Sequence, residues 1–252
     1  MSQGLDDWKE QGRAFLKSDR WEEWRTGPTD RKEKIAPPAL EKPAPQDASI
    51  IALPDPKASS LGQLSLFEAI LQRQTHRQYS SNVSTLEELS FLLWSTQGVH
   101  EIFRDGTALR KTVPSGGARH PFETYLYIDA VHSLQPGLYR YLSIKHQLAR
   151  LDVSSDLGAR IDAGINNQKR GAGVVFVWTA IPYRTEWCYA FLSAKLIALD
   201  AGHVCQNLYL AATAIGGGVC AIDAYDQLKI DAAIGVDGND EFTVYCATFG
   251  KI

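Results

Sequence analysis

One long apolar segment limits how this chain can fold. Residues 189–215 are predicted to form a helix that is apolar nearly all the way round, with few polar interruptions: Lys195, Asp200, His203, Gln206 and Asn207. A helix without a continuous polar face has to be buried, because water would otherwise meet its apolar surface on every side. The segment is therefore expected to lie inside the fold or against another subunit.

The other predicted elements mix helices with strands. One helix is expected to end near Arg73. A second is predicted to begin with Ser84 or Thr85 as its N-cap, since glutamates follow at capping-box distance. Strands are predicted at 122–128, 173–179 and 242–249, with a hairpin formed by 137–141 and 147–151. Helices and hairpins do not alternate strictly, which favours an α+β fold over a doubly wound sheet.

The bulk composition excludes several classes of protein. The chain has 252 residues and a formal net charge of −3. This charge argues against nucleic-acid binding as the main role, which needs a dense basic face. No apolar run is expected to reach the roughly 18 residues of a membrane helix. The first residues also lack the basic start and apolar stretch of a signal peptide, so no membrane association is predicted.

The cysteines predict no special chemistry. Cys188, Cys205, Cys220 and Cys246 are scattered and form no CxxC pair, which supports neither a zinc site nor a disulfide framework. His203 and Cys205 lie two apart in the predicted long helix, where they would not share a face. Reduced thiols in a cytoplasmic protein without a metal site are therefore expected.

The first 60 residues differ from the rest. Charged residues alternate around Trp8, Phe15, Trp21 and Trp24, whose near-helical spacing indicates a short helix with an aromatic face. A proline-rich stretch follows, which cannot be helical. We predict an N-terminal arm over residues 1–60 that wraps a globular body over residues 61–252. The alternative is a disordered tail, which several tryptophans disfavour.

The loop Pro114-Ser115-Gly116-Gly117 is the first candidate for a binding site. Adjacent glycines can adopt positive φ and let the backbone approach another group closely, while Pro114 stiffens one side of the loop. Such a loop could receive a flat or phosphorylated ligand. A short glycine motif is weak, however, and from this loop alone a tight turn that feeds the strand at 122–128 is the favoured interpretation.

Two further segments could also carry chemistry. Arg73, Thr75 and Arg77 alternate just past a helix, so an extended backbone would present two guanidinium groups and a hydroxyl to a phosphate. A solvated helix end is the alternative. The glycines at 216–218 end the long helix and lead into an apolar stretch that carries Asp223, which alone indicates a helix C-cap and a buried strand.

Taken together, these segments resemble the flavin-dependent nitroreductase superfamily, and more closely its SagB-type dehydrogenase branch. The resemblance covers roughly residues 50–250. It rests on six segments in the right order: Arg73-x-Thr75-x-Arg77-x-Tyr79; residues 89–98; residues 112–118 with Pro121-x-Glu123-x-Tyr125; Gly137-Leu-Tyr-x-Tyr141; residues 200–208; and residues 211–216.

The resemblance implies a nitroreductase-like fold, with a mixed, mainly antiparallel sheet flanked by helices and the long helix buried at a homodimer interface. It also implies FMN bound at that interface. By position, Arg73, Thr75 and Arg77 would hold the phosphate and ribityl chain. Pro114, Ser115 and Gly117 would pack on the ring, either in the same subunit or from the other one.

Further positions follow from the same resemblance. Gln168 would hydrogen-bond the polar edge of the flavin ring. A second group would lie along the flavin near its reactive nitrogen, with backbone amides as donors: Ala221, Ile222, Asp223 and Ala224. Few basic residues follow the last strand, so Arg73 and Arg77 would carry more of the phosphate binding than in many nitroreductases.

One departure from the family pattern bears on the reaction. The azoline-oxidising members have a Lys-Tyr pair before the long helix, and this chain has Cys188 in the place of the lysine, followed by Tyr189. The loss of that lysine puts heterocycle dehydrogenation in doubt. Tyr189 stays a candidate acid or base. A packed role for Cys188 is favoured over a nucleophilic one, because no histidine lies nearby in sequence.

The resemblance implies an FMN-dependent oxidoreductase that moves two electrons in a ping-pong cycle. Its substrate would be a small organic or peptide-derived molecule, and NAD(P)H is a candidate electron donor. The alternative is a non-catalytic flavin-binding or scaffold partner in a modification complex, which the change at Cys188 and the aromatic arm favour.

Overall fold

A seven-stranded antiparallel sheet forms the centre of the molecule. The structure is a computed structural model and describes residues 2–252. The strands are β1 (Ser49–Ala52), β2 (Val99–Phe103), β3 (Ala108–Lys111), β4 (Phe122–Ile128), β5 (Gly137–Leu142), β6 (Gln147–Asp152), β7 (Val174–Ala180), β8 (Gly217–Ile222) and β9 (Phe242–Lys251). The sheet order is β1-β6-β5-β4-β7-β9-β8, and β2 pairs with β3 in a separate hairpin.

The helices cover both faces of this sheet. They are α1 (Ser2–Leu16), α2 (Trp21–Thr26), α3 (Leu66–Gln72), α4 (Leu86–Gln97), α5 (Leu157–Gly164), α6 (Tyr183–Tyr189), α7 (Ser193–Ala214) and α8 (Gln227–Ile234). The predicted α+β class is confirmed. Every pair of named strands in the sheet is antiparallel, and two isolated parallel bridges join Thr75 to Val219 and Ser84 to Val131.

The central strand β7 divides the interior into two cores. Phe176 and Trp178 face the core that contains α4 and α7, whereas Val175 and Val177 face the core that contains α5 and α8. Successive side chains of a strand point to opposite faces, so a strand with helices on both sides needs apolar residues at every position. The continuous apolar run in the sequence has this cause.

The start of α4 confirms the predicted cap. Thr85 accepts a hydrogen bond from the Glu88 amide, and the Glu88 carboxylate accepts one from the Thr85 amide, which completes a capping box. The structure thus selects Thr85 over Ser84 as the N-cap. The helix ends before Gly98, as expected.

The long apolar helix is shorter and less buried than predicted. Residues 183–189 form the separate helix α6, because Ala190 has φ 45° and ψ −125° and breaks the run before α7 begins. Ile197, Val204 and Leu208 enter the core, but Leu199 on another face is 53% exposed. Complete burial inside the fold therefore does not hold for the single chain, and burial of the remaining face against another subunit stays a prediction.

The same segment qualifies the prediction about membranes. Tyr183–Ala214 is long and apolar enough to cross a membrane by length and composition alone, contrary to the expectation from sequence. Such a test is also passed by core helices of soluble proteins. Because α7 packs on α4 and contributes to the core, we interpret the segment as a core helix.

The N-terminal residues wrap the body, but not as one amphipathic helix. α1 and α2 are separate, so Trp8 and Phe15 do not share a face with Trp21 and Trp24. Further along, β1 pairs with β6 at the edge of the sheet. Buried Arg140 donates to the carbonyls of residues 42 and 43 at 3.0 and 2.6 Å, which fixes the proline-rich stretch. The domain boundary at residue 60 stays a prediction.

Candidate functional site

The loop 114–118 is fastened to α7 by a carboxylate. The Ser115 hydroxyl donates to Asp200 Oδ2 at 2.5 Å, and the Gly116 amide donates to Asp200 Oδ1 at 3.2 Å. The His120 amide donates to Ser115 Oγ at 2.9 Å. Burial raises the pKa of Asp200, while these two hydrogen bonds oppose that rise. Asp200 therefore positions the loop, and the Ser115 hydroxyl is engaged within the protein.

Gly117 brings this loop against Tyr189. Its φ of 61° lies in the left-handed region, and a Cβ built there would lie 2.6 Å from the Tyr189 hydroxyl oxygen. Both the backbone conformation and the contact therefore require glycine. Pro114 is exposed at the start of the loop. The structure thus brings two separately predicted features, the glycine loop and Tyr189, together within one chain.

Tyr189 is covered by the N-terminal arm. The Trp24 ring stacks on it with centroids 5.6 Å apart and an interplanar angle of 23°, and Trp21 packs edge-on at 6.2 Å. Trp24 Nε1 also donates to the Cys188 carbonyl at 3.0 Å. Burial, followed by the neighbouring Cys188, raises the pKa of Tyr189, so its hydroxyl holds its proton at neutral pH.

The Cys188 side chain is buried rather than exposed to solvent. It is 5% exposed, and Arg31 Nη1 lies 4.0 Å from its Sγ. The four cysteines are all free and buried in the structure, and residues 2–252 contain no cluster of potential metal ligands. The packed interpretation of Cys188 fits this environment.

On the other side of α7, Tyr209 organises the predicted phosphate-binding residues. Arg73 lies over its ring, 5.4 Å from the centroid, and Thr75 Oγ1 is 3.1 Å from its hydroxyl. The Ala221 amide donates to the same hydroxyl at 2.9 Å. Sequence reasoning missed Tyr209 because an aromatic residue in an apolar helix gives no separate signal.

Arg77 faces a second cation that the sequence analysis also missed. Thr75, Arg77, Tyr79 and Arg170 line one open cleft of about 920 Å³, which adjoins a smaller one beside Arg73. No carboxylate of residues 2–252 forms an ion pair with Arg73, Arg77 or Arg170. This cleft therefore presents uncompensated positive charge and can bind an anion.

Lys251 does not join these cations. Its Nζ donates to Glu88 Oε1 at 2.7 Å and to the Ile215 carbonyl at 2.9 Å. The last basic residue of the chain thus closes the end of β9 onto α4. Arg170, with φ 49° just before Gly171, supplies a cation at the cleft from an unexpected part of the chain.

The structure changes the predicted roles of Gln168 and Ala221. Gln168 Nε2 donates to the Ile165 and Ala224 carbonyls, both at 3.0 Å, so its donor group is used within the protein. The Ala221 amide is likewise taken by Tyr209. In this conformation neither group is free to donate to a ligand, and the predicted contacts of Gln168 and Ala221 with a flavin stay predictions. Ile222 is buried, whereas Asp223 and Ala224 are exposed beyond the end of β8.

The predicted residues thus form two groups joined by α7. One contains Ser115, Gly117 and Tyr189, held through Asp200. The other contains Arg73, Thr75, Arg77 and residues 221–224, held largely through Tyr209. Asp200 and Tyr209 are nine residues apart in α7, which corresponds to about 13 Å along a helix. This span suits an elongated ligand that has an anionic end.

The comparisons with known proteins agree on one family. The model of the Nitroreductase family matches residues 70–251. A protein of Methanocaldococcus jannaschii named as a candidate nitroreductase is 30% identical over 186 residues, which is 73% of this chain and 88% of that protein. The trifolitoxin-processing protein TfxB of Rhizobium leguminosarum is 32% identical over 46% of this chain, but the match covers only 32% of TfxB.

Solved structures show the same fold at lower identity. A candidate nitroreductase from Ralstonia eutropha has a TM-score of 0.63 and 23% identity, covering 85% of this chain and 97% of its own. A chain of the E. coli microcin synthetase McbBCD complex has a TM-score of 0.60 and 18% identity, covering 90% and 83%. A candidate nitroreductase from Desulfovibrio desulfuricans, described in complex with FMN, has a TM-score of 0.50 and 16% identity, covering 75% and 86%.

Proposed function

Because this chain belongs to the nitroreductase family, and is thus an oxidoreductase by family, we propose that it is an FMN-dependent enzyme. It transfers two electrons in a ping-pong cycle to or from a small organic or peptide-derived substrate. The observation that carries the proposal is the cluster of unpaired guanidinium groups, Arg73, Arg77 and Arg170, on the clefts beside β8. The FMN phosphate would satisfy them.

The local chemistry fits a flavin phosphate. Arginine forks match phosphate oxygens bidentately, and Thr75 adds a hydroxyl on the same surface. An unpaired guanidinium group gains more from an anion than one already bound to a carboxylate. The FMN-bound relative of similar fold supports the same choice of cofactor.

The chain's other residues would orient the flavin ring. Ser115 and Gly117 form a stiff loop because Asp200 holds two of its groups. Beyond β8, the exposed backbone of Asp223 and Ala224 takes over the donor role predicted for residues 221–224, since Ala221 is engaged. When bound, FMN supplies the two-electron redox chemistry, and the protein supplies orientation and hydrogen bonds.

A homodimer is part of the proposal. α3 exposes several large apolar side chains on the surface beside Arg73: Leu66, Phe67, Ile70 and Leu71. Leu199 adds an exposed apolar group on α7. Contiguous apolar patches of this kind mark interfaces, and a second copy would cover them. Light scattering of the eluted protein should give twice 27.9 kDa, and a mass of one chain would contradict the dimer.

Tyr189 is proposed to donate or hold a proton during turnover. Its hydroxyl points to Gly117, and its raised pKa keeps it protonated at neutral pH. Tyr189→Phe removes the proton and retains the ring stacking on Trp24. The variant should keep its flavin and lose turnover by about 10²-fold or more, as for other general acids. Full turnover with bound flavin would exclude this role.

The electron donor is proposed to be NADH or NADPH. Anaerobic titration of the flavin-loaded protein with each nucleotide should bleach the flavin absorbance, and an electron acceptor should restore it. If neither nucleotide bleaches the flavin while dithionite does, the donor is a different molecule. A cytoplasmic location also remains a prediction.

A second candidate function is that of a non-catalytic member of a peptide-modification complex. It is favoured by the similarity to a trifolitoxin-processing protein and to a chain of the microcin synthetase complex. The cover that Trp21 and Trp24 place over Tyr189 favours it too. This function predicts a protein that binds FMN weakly or not at all and shows no turnover with any acceptor.

A further inference from the structure

A cavity at the junction of α6 and α7 is unused by the proposed flavin site. It measures about 760 Å³ and lies between the start of α7, the segment before α6 and the beginning of β9. None of the residues predicted to hold flavin lines it. Its apolar walls are Ile181, Ile197, Phe242 and Val244. The volume is in the range of pockets that hold small organic ligands, roughly 300–1,000 Å³.

The charged groups that line this cavity all have one sign. They are Glu186 and Asp240, and no lysine, arginine or histidine lines it. Neither carboxylate forms an ion pair with any of residues 2–252. A third carboxylate, Asp30, accepts a hydrogen bond from the hydroxyl of the lining residue Tyr183 at 2.7 Å. Burial, followed by Asp30, raises the pKa of Glu186.

A serine hydroxyl lies on the wall of the same cavity. Ser193 is only 5% exposed and lines the cavity, yet its hydroxyl forms no hydrogen bond with any described residue. A hydroxyl on a cavity wall without a protein partner is a position where a ligand can gain a hydrogen bond. This hydroxyl is an observation independent of the carboxylates.

We infer that this cavity binds an organic cation with a flat apolar body. Its ammonium, amidinium or guanidinium group pairs with Glu186 and Asp240, and its apolar body packs on Ile197 and Phe242. The Ser193 hydroxyl completes the hydrogen bonding. Such a cation can be a free small molecule or a basic side chain of a peptide beside an apolar residue, and the same chemistry recognises both.

Three ligands of nearly equal shape test the inference by calorimetry on the full chain. Benzamidine is cationic, benzamide is neutral and benzoate is anionic. We expect benzamidine to bind at least tenfold more tightly than benzamide, with no detectable binding of benzoate. Equal binding of benzamidine and benzamide would overturn the inference. The measurement needs no flavin, so its failure is distinguishable from failure of the proposed function.

Two variants test whether the cation binds in this cavity. The double variant E186Q/D240N should reduce the preference for benzamidine over benzamide about tenfold, whereas E10Q, which removes an exposed carboxylate on α1, should leave the preference unchanged. Chemical shifts in the NMR spectrum show that each variant is folded. If folded E186Q/D240N keeps the full preference, the cation binds elsewhere and the inference is wrong.

A comparison of two peptides shows whether the cation is a basic side chain of a peptide or a free small molecule. Acetyl-Phe-Arg-amide is compared with the same peptide carrying neutral citrulline in place of arginine. A preference for the arginine peptide that E186Q/D240N abolishes supports a basic peptide as ligand. Binding of benzamidine but of neither peptide supports a free small cation. Both results keep the inference, which fails if none of the cationic probes binds.

Discussion

The two groups of site residues on either side of α7 differ in what covers them. Thr75 and Arg77 are exposed, and their cleft holds cations without carboxylate partners. Tyr189, in contrast, already has its partners, because Trp24 stacks on its ring and Gly117 abuts its hydroxyl. The first group therefore has charges that are free to pair with a ligand, whereas the second is already contacted by other parts of the chain.

This difference separates binding from catalysis. The unpaired charges of the arginine group would account for the proposed cofactor binding without any movement of the protein. Tyr189 can contact a substrate only from the side that the N-terminal arm leaves open, or after the arm has moved. The arginine group is therefore the part of the site that needs no rearrangement before it can bind a ligand.

The largest effect is expected at the arginine cleft. Replacing Arg73 and Arg77 together with alanine removes two charge-assisted contacts to phosphate, worth about 1.5–3 kcal/mol each. FMN affinity should fall by 100-fold or more in a fluorescence titration. Arg160→Ala, which removes a cation paired with Asp152 and Asp156, is the control and should not change the affinity. Equal losses in both variants would place the phosphate elsewhere.

The next effect concerns the contact between the loop and Tyr189. Gly117→Ala forces a Cβ to within 2.6 Å of the tyrosine hydroxyl at a φ of 61°. We expect a loss of about 3 kcal/mol in the free energy of unfolding, from backbone strain and overpacking together. Gly106→Ala is the matched control for Gly117→Ala, because φ is 81° at Gly106 and nothing lies within 4 Å of a Cβ built there.

The control should cost only about 1 kcal/mol, the conformational part of the penalty. The difference between the two variants, measured by urea unfolding, isolates the contact with Tyr189. Equal losses would show that the loop moves away from Tyr189 at no cost.

A pH effect is expected from His120, beside the loop. Burial, followed by the charge of Lys111, lowers its pKa from 6.5 to about 3. His120 therefore takes up a proton near pH 6.5 in the unfolded chain but not in the folded protein. Its contribution to the free energy of unfolding is fully present above pH 6.5 and is lost as the pH falls toward 3. The resulting loss in the free energy of unfolding reaches about 2 kcal/mol at pH 5.

His120→Asn tests this directly, because asparagine tolerates the positive φ of 45° at this position. The variant should show a flatter dependence of the free energy of unfolding on pH between 7 and 5 than the natural protein. An unchanged slope would assign the acid sensitivity to other groups.

The smallest effect is expected on the covered side. Trp24→Ala removes the ring that stacks on Tyr189 and the donor to the Cys188 carbonyl. We expect a loss of about 1 kcal/mol in stability and faster labelling of Cys188 by a maleimide, followed by peptide mass spectrometry. Trp8→Ala is the control, because Trp8 is 72% exposed. If both variants label at the same rate as the natural protein, the arm does not protect this segment.

Features set by local sequence could be predicted, and those set by distant contacts could not. The cap at Thr85 and the buried strand β7 follow from residues close in the chain. The pairing of Ser115 with Asp200 joins positions 85 apart, so no spacing rule could place it. The resemblance to the family brought the motifs together, but it did not reveal that Tyr209 and Gln168 use their polar groups within the protein.

Some missed features did have a local signal. The β2–β3 hairpin turns at Asp105-Gly106, a dipeptide typical of such turns, and both residues have positive φ. The break before α7 had none, because alanine at position 190 gives no indication of positive φ. The stacking of Trp24 on Tyr189 joins positions 165 apart in the chain, and the sequence predicted only that an aromatic arm would wrap the body.

The central claim is that the arginine cleft binds FMN, and the absorbance of the purified full chain tests it most directly. We predict a yellow protein with flavin peaks near those of free FMN, or a colourless one that takes up one FMN per chain when the cofactor is added. A protein that stays colourless in excess FMN, with no change in flavin fluorescence, would contradict the account and favour the non-catalytic function.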